Sequence, residues 1–424
     1  MRPESQRGFT LIELLVVLVV IGQIFVLIVM LFDFSTKLSH VQTNVAEMQQ
    51  SLRVAQYDTV RLIRMAGRGG LPVGIVPASP SVFQGVAVAV SDNVPNNTKI
   101  TTTAGAPFVV PGTDILTIRG VLSNPVWQLD VSANSGSFQV DSATTGHLVV
   151  QNVHDGVVQD LSALKNAVQN GILEPLILVS ATDPSVYAVV ELDPNTSDVS
   201  DPTQFTIHFK ISGQPRSVGY LALCPGGTFP ATLNANGSQV VQVGILEEYR
   251  IYVRQDYSAP LTGNVVTDAS NLGSKLARAR VFPNSNDPYG PEGNAANVNN
   301  LSLDVADNIT DLQVALGFDS ANAGSIDAGT STTITETADG SNDDWLFNGP
   351  SDLPVNPATW NNTSLYYVRL STLARTDRPD VKYLAPPLLK IEDRSYSGSP
   401  FNQGNNLMFR RRLLQTVVNL RSLG

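Results

Sequence analysis

The chain has 424 residues, 42% of them hydrophobic and only 15% charged, with a formal net charge of −10. That length can build a sizeable core and more than one structural unit, while the acidic balance would repel phosphate backbones, so no nucleic-acid partner is expected. Cys224 is the only cysteine, which excludes an intramolecular disulfide.

The first element runs from Phe9 to Phe32, an apolar stretch in which Glu13 is the single ionisable residue. As a helix it reaches about 36 Å, enough to cross a hydrocarbon layer about 30 Å thick. A carboxylate in such a span is costly to bury, calls for a partner charge and marks a functional site. Arg2 and Arg7 precede the run and set its N-terminal side in the cytoplasm. Gly8 separates Arg7 from the apolar residues, where a protease could cut. An ordinary secretory signal fits poorly, because the run is too long and Phe32-Asp33-Phe34-Ser35-Thr36-Lys37 offers no small-residue cleavage site. A plain N-terminal anchor explains the arginines but gives no reason for Glu13.

Beyond the span, Leu38, Val41, Val45, Met48, Leu52, Ala55, Thr59, Leu62 and Ala66 recur at alternating three- and four-residue steps. This is one stripe of an amphipathic helix. No Pro or Gly interrupts it after Gln23, and Gly67, Gly69 and Gly70 supply a stop. Residues 9–66 are therefore predicted to form a single rod about 87 Å long. Gly22 costs it about 1 kcal/mol relative to Ala. The stripe suits either core packing beneath a domain or contact with neighbouring rods.

From Leu71 the pattern changes to short apolar runs bounded by Gly, Pro, Asn, Asp and Ser. The expected fold class is α+β: a long N-terminal helix followed, over residues 67–424, by a large and mainly antiparallel β-rich domain. Predicted strands include Val82–Val90, Asp114–Gly120, Phe138–Val140, His147–Val153, Leu173–Ser180, Tyr187–Leu192, Phe205–Ile211, Val240–Val253, Leu276–Phe282, Leu312–Phe318, Leu365–Leu373 and Leu407–Leu420. Thr206–Ile211 alternates as a half-buried strand does, whereas Leu176-Ile177-Leu178-Val179 is continuous and belongs in a sheet centre. Stretches near 257–300 and 320–362 read as long surface insertions.

Catalytic and metal chemistry is harder to find. Histidines 40, 147, 154 and 208 lack helical metal-site spacing, and His147 and His154, seven apart, would face opposite sides of one strand. They read as structural or surface residues. No nucleophile elbow, phosphate loop or Cys–His dyad occurs. Acidic clusters at Asp193–Asp198 and Asp339–Asp344 could offer oxygen to Ca²⁺ but read better as solvated turns. Arg410-Arg411-Arg412 would be split between two strand faces and reads as structural ion pairs. Cys224, in Leu221-Ala222-Leu223-Cys224-Pro225, reads as a buried small hydrophobe. The chain is expected to be non-enzymatic, without cofactor or metal.

The string Gly8-Phe9-Thr10-Leu11-Ile12-Glu13-Leu14-Leu15-Val16-Val17 resembles the class III signal and first helix of type IV pilins and type II secretion pseudopilins. That resemblance implies a pilin-type fold, a leader over residues 1–8, prepilin peptidase cleavage after Gly8 and methylation of the new N-terminus at Phe9. It also implies that Glu13 meets the N-terminal amine of a neighbouring subunit in the filament. Residues 9–32 would be both membrane span and filament core, and 33–66 the amphipathic half of the helix, with 67–424 a periplasmic domain. Downstream, Tyr57–Gly67, Thr113–Arg119, Ile309–Phe318, Val368–Ser371 and Phe409–Arg421 resemble, in order, segments of the PilW family of minor pilins. The J-type minor pseudopilins of type II secretion are more weakly similar. At the helix end Arg68 stands where that family usually has an aromatic residue. The implied partners are other minor pilins and the major pilin, prepilin peptidase, an inner-membrane platform protein and, before assembly, the membrane. The implied location is the inner membrane, then the pilus or cell surface, and the implied role is initiation of pilus assembly near the tip. A secretion pseudopilin and a pilus-tip adhesin are the alternatives.

Overall fold

An unbroken helix runs from Leu11 to Arg64 in the computed structural model, about 81 Å at 1.5 Å per residue. The structure describes residues 11–72, 83–84, 87–95, 109–131, 137–183, 186–212, 220–234, 240–255, 274–283, 303–319, 345–347 and 364–420. Nothing crowds Gly22, and the helix passes through it without a break. The three- and four-residue stripe is the face that packs. Met48, Leu52, Ala55, Thr59, Leu62, Ile63 and Ala66 are buried, and Val45 is half-buried, whereas Leu38 stays exposed. Cover therefore begins about one turn later than the periodicity alone indicates. The stripe rests on strands Leu303–Asp307, Ser364–Arg375 and Arg411–Asn419, and each large aliphatic side chain buried there contributes about 1.5–3 kcal/mol.

All described strand pairs are antiparallel, and they form three main sheets. The first orders Phe83–Gln84, Val88–Ser91, Ile115–Gly120, Glu247–Gln255, Ser274–Val281 and Leu303–Asp307. The second orders Trp127–Gln128, Val240–Ile245, Pro175–Ser180, Tyr187–Leu192, Gln204–Lys210, Thr145–Gln151 and Phe138–Val140. The third orders Trp345–Phe347, Ile309–Asp319, Ser364–Arg375 and Arg411–Asn419. Pro175–Ser180 is buried throughout, as its continuous apolar run requires, while Gln204–Lys210 alternates exposed or half-buried with buried. One core cluster joins the helix stripe to residues of all three sheets.

The single strand expected over Val240–Val253 is two strands in different sheets. The switch falls at Leu246, whose N–H donates to the Pro175 carbonyl at 2.8 Å. Next come Glu247 and Glu248, both fully buried although consecutive strand residues point to opposite faces. Each face supplies its own partners. Glu247 accepts the N–H of Leu122 at 3.0 Å and of Ser123 at 2.5 Å. Glu248 accepts Arg119 Nε at 2.5 Å and Arg250 Nε at 2.7 Å. Buried carboxyl groups held this way are tolerated, and an apolar-periodicity reading passes over them.

A polar knot ties the first sheet to the third. Asp114, buried, accepts the N–H of Asn93 at 2.9 Å and of Val314 at 2.7 Å. Asp311 accepts Arg394 Nη1 at 2.8 Å and the hydroxyl of Tyr396. Arg394 also reaches the Pro111 carbonyl at 2.9 Å, and Gln313 reaches that of Gly112 at 2.9 Å. Desolvation first, then the charge of Asp92, raises the Asp114 carboxyl well above the usual carboxylate range. The Thr113–Arg119 and Ile309–Phe318 segments, far apart in the chain, thus meet through Asp114.

Two smaller differences concern lengths and omissions. Arg411–Asn419 begins only after a 3-10 turn, Gly404–Met408, so the strand expected over Leu407–Leu420 is shorter. Helix Ser162–Gln169, which buries Leu164 and Ala167, and the short strands Trp127–Gln128 and Leu303–Asp307 were not legible by periodicity. Most of the insertions read near 257–300 and 320–362 lies outside the described residues.

Candidate functional site

The first half of the helix finds no cover among the described residues. From Leu11 to His40 every residue is exposed, including Leu11 at 82%, Phe32 at 70% and Phe34 at 65%. A helix that is apolar on all sides belongs inside a large core or a membrane, and exposed apolar surface on this scale marks an interaction site. This helix is long and apolar enough to cross a membrane by length and composition. Glu13 sits in its first described turn, exposed among apolar neighbours. The apolar run ends at an exposed Asp33–Lys37 pair 2.5 Å apart. Beside it Thr36 Oγ1 returns to the Phe32 carbonyl at 2.8 Å. Such a polar girdle suits the edge of a hydrocarbon layer.

The second half is a rigid mount for the first. Asp58 accepts Arg278 Nη1 on both carboxylate oxygens at 2.8 Å, and the Arg278 guanidinium lies over the Tyr249 ring at 5.3 Å. Arg61 and Arg64 complement the carbonyl end of the helix. The chain then turns at Gly67, whose N–H donates to the Arg119 carbonyl at 2.9 Å, while Val121 N–H donates to the Arg68 carbonyl at 2.7 Å. Gly69 and Gly70 have φ of 95° and 96°. A Cβ on Gly70 would stand 2.5 Å from Val179 Cγ2. Only glycine lets this turn lie flat against the second sheet.

Residues 5–30 match the family model described as the prokaryotic N-terminal methylation motif. The N-terminal segment is type IV pilin-like. It carries the class III signal, and the long apolar helix followed by an antiparallel β-rich domain makes an α+β fold. Motif and helix together support membrane anchoring. Among solved structures, a type IV-like pilin, TTHA1219 from Thermus thermophilus, aligns over 62% of this chain and 99% of its own, at 10% identity and a TM-score of 0.16. So loose a superposition says nothing about the fold of the β-rich domain. No curated protein matches the chain.

Gly8 and Phe9, the processing residues, lie outside the described residues, as does the Asp339–Asp344 cluster. At the other acidic cluster, Asp193 faces Lys210 at 3.2 Å and Asp198 caps Ser200 N–H at 2.9 Å, a turn rather than a cage. Hydrogen bonds from Ser200 hold the Asp198 carboxyl below the usual range. Arg410 pairs with Asp380 at 2.9 Å, whereas Arg411 donates to the carbonyls of Phe401 and Asn406 rather than to an acid. Cys224 is buried, accepts Val189 N–H at 3.2 Å, and burial pushes its thiol up to about 11.

The histidines differ most from the sequence reading. The strand carrying His147 ends at Gln151, and His154 belongs to a separate hairpin, so the two never share a strand. The residue that matters to His147 is His208, directly opposite it on the neighbouring strand. Spacing along one strand cannot show this; only the pairing register can.

Proposed function

We propose that this chain is a minor pilin of a type IV pilus, PilW-like, that helps to initiate assembly at or near the tip. In this reading prepilin peptidase cuts after Gly8 and the new N-terminus, Phe9, is methylated. Residues 9–32 hold the protein in the inner membrane with the N-terminus cytoplasmic and the β domain periplasmic. The platform protein then hands the helix from lipid to a bundle of other pilin helices, minor and major. Glu13 meets a neighbour's N-terminal amine there, and two opposite charges leaving water together cost far less than either alone.

One observation carries the reading: an all-round apolar helix, clamped at its far end to a folded domain, behind an N-terminal methylation motif. The same anchor would serve a short secretion pseudopilus, and a tip adhesin role would rest on insertions near 320–362. No catalytic role is assigned. The test is co-expression of the full chain with prepilin peptidase, followed by mass spectrometry of the N-terminus and of sheared pili. The expected product begins at methylated Phe9 and is recovered in pili together with other minor pilins. A product that keeps Met1, or recovery only with secretion components, overturns the assignment.

A further inference from the structure

We propose that Asp141, His147 and His208 form a binding site for a divalent transition-metal cation of the Zn²⁺ type on the outer face of the second sheet. The proposal is independent of the pilin reading. The register pairs His208 with His147 across adjacent strands, and their rings lie 5.4 Å apart, centroid to centroid. Asp141 stands at the start of the turn that leads into the His147 strand, and its two carboxylate oxygens lie 2.9 Å and 3.0 Å from His147 Nδ1. One ligand atom from each of the three residues falls within 4.8 Å of the others.

An ordinary ion pair accounts for Asp141 and His147 but does not involve His208, whose ring faces that of His147. Directly opposed side chains in an antiparallel pair lie close, and two imidazolium rings there would repel. Two imidazoles and one carboxylate converging on a point are instead a donor set for a borderline cation. Zinc takes nitrogen and carboxylate oxygen at about 2.0–2.2 Å, and small rotations of these partly exposed side chains bring the donors to that range. A single carboxylate is too few oxygens for Ca²⁺, and imidazole favours Zn²⁺, Cu²⁺ or Ni²⁺.

The surroundings are prepared for it. Asp141 N–H donates to the Thr145 carbonyl at 3.0 Å, and Ser142 Oγ accepts the Thr144 and Thr145 N–H groups at 3.1 Å, which fixes the turn. Lys210 shares the outer face with His208, but its ammonium is taken by Asp193 at 3.2 Å. The His147 and Asp141 side chains retain 24% and 34% exposure, so a cation can enter and a fourth ligand can come from outside.

The experiment uses the full chain in detergent, stripped with chelator and titrated with Zn²⁺ alone, with retained metal measured after gel filtration. One Zn²⁺ per chain and a raised Tm are expected. His147→Ala and His208→Ala should each weaken binding by more than the roughly 10- to 100-fold typical of losing an outer-shell partner. His154→Ala should bind as the parent does. Asp141→Asn, which keeps a hydrogen-bonding group beside His147, guards against misfolding and should also weaken binding. Circular dichroism verifies each variant. No retained Zn²⁺, or retention unchanged in both histidine variants, overturns the site.

Discussion

The two halves of the N-terminal helix share one backbone and differ in how their apolar side chains are distributed. In the second half they fall on one stripe, from Met48 to Ala66, with Glu47, Arg53, Arg61 and Arg64 turned outward. A stripe can be covered from one side, and strands of the first and third sheets cover it. In the first half they lie all round, so no sheet of the same chain could cover more than a fraction of them. Only an environment that surrounds a helix, such as lipid or a ring of other helices, can do so. Hydrophobic pattern, rather than hydrophobic content, decides whether a segment packs within its own molecule or against others.

The largest expected effect tests that division directly. Leu62 is 2% exposed and Leu27 is 65% exposed. Leu62→Ala should lower stability by about 2–5 kcal/mol, the usual cost of emptying a packed leucine site. Leu27→Ala should stay within about 0.5 kcal/mol. Chemical denaturation in detergent, followed through tryptophan fluorescence, to which the buried Trp127 contributes, measures both. Equal losses would mean that the two halves are not separate in the way their burial indicates.

A second comparison concerns two acids in apolar surroundings. Asp114 lies in the protein interior, where its chain supplies fixed N–H donors and burial raises its carboxyl. A raised carboxyl binds its proton more tightly in the folded state. Its contribution to stability is therefore full below the ordinary carboxylate value and is lost as pH climbs toward the raised one. Asp114→Asn, which cannot ionise, removes that dependence. Denaturation from about pH 4 upward should find the parent losing stability relative to the variant. The opposite slope would mean that the ionised form is the one the fold favours.

These contrasts also mark what the sequence discloses. The helix and its stripe, the glycine stop and most strands were legible, because periods of 3.6 and 2 are written in consecutive residues. The sheet switch at Leu246 was not, since β-favouring residues continue on both sides of it and Glu247 and Glu248 find partners only in folded space. The knot of Asp114 with Asp311 and the facing pair His147 and His208 were hidden likewise. Each depends on which residues far apart in the chain the fold brings together. At the candidate assembly surface the reverse holds. Glu13 and its apolar neighbours stand out in the sequence, because one acid in a long apolar run is written in consecutive residues.

The smallest expected change in stability is at Glu13, and it is the most informative for function. Glu13→Gln keeps the shape, leaves the core untouched and lies far from the mount, so Tm should shift by less than about 0.5 kcal/mol equivalent. Membrane insertion should be no worse, since an uncharged side chain costs less in hydrocarbon. Processing after Gly8 should continue. Incorporation into sheared pili should nevertheless fall sharply, because a neighbour's N-terminal amine would then enter the apolar bundle without a counter-charge. In the proposed reading, insertion and assembly impose opposite demands on this residue. A variant that inserts as well as the parent and assembles as well would show that register along the filament is set by side-chain packing, and that the acid is dispensable.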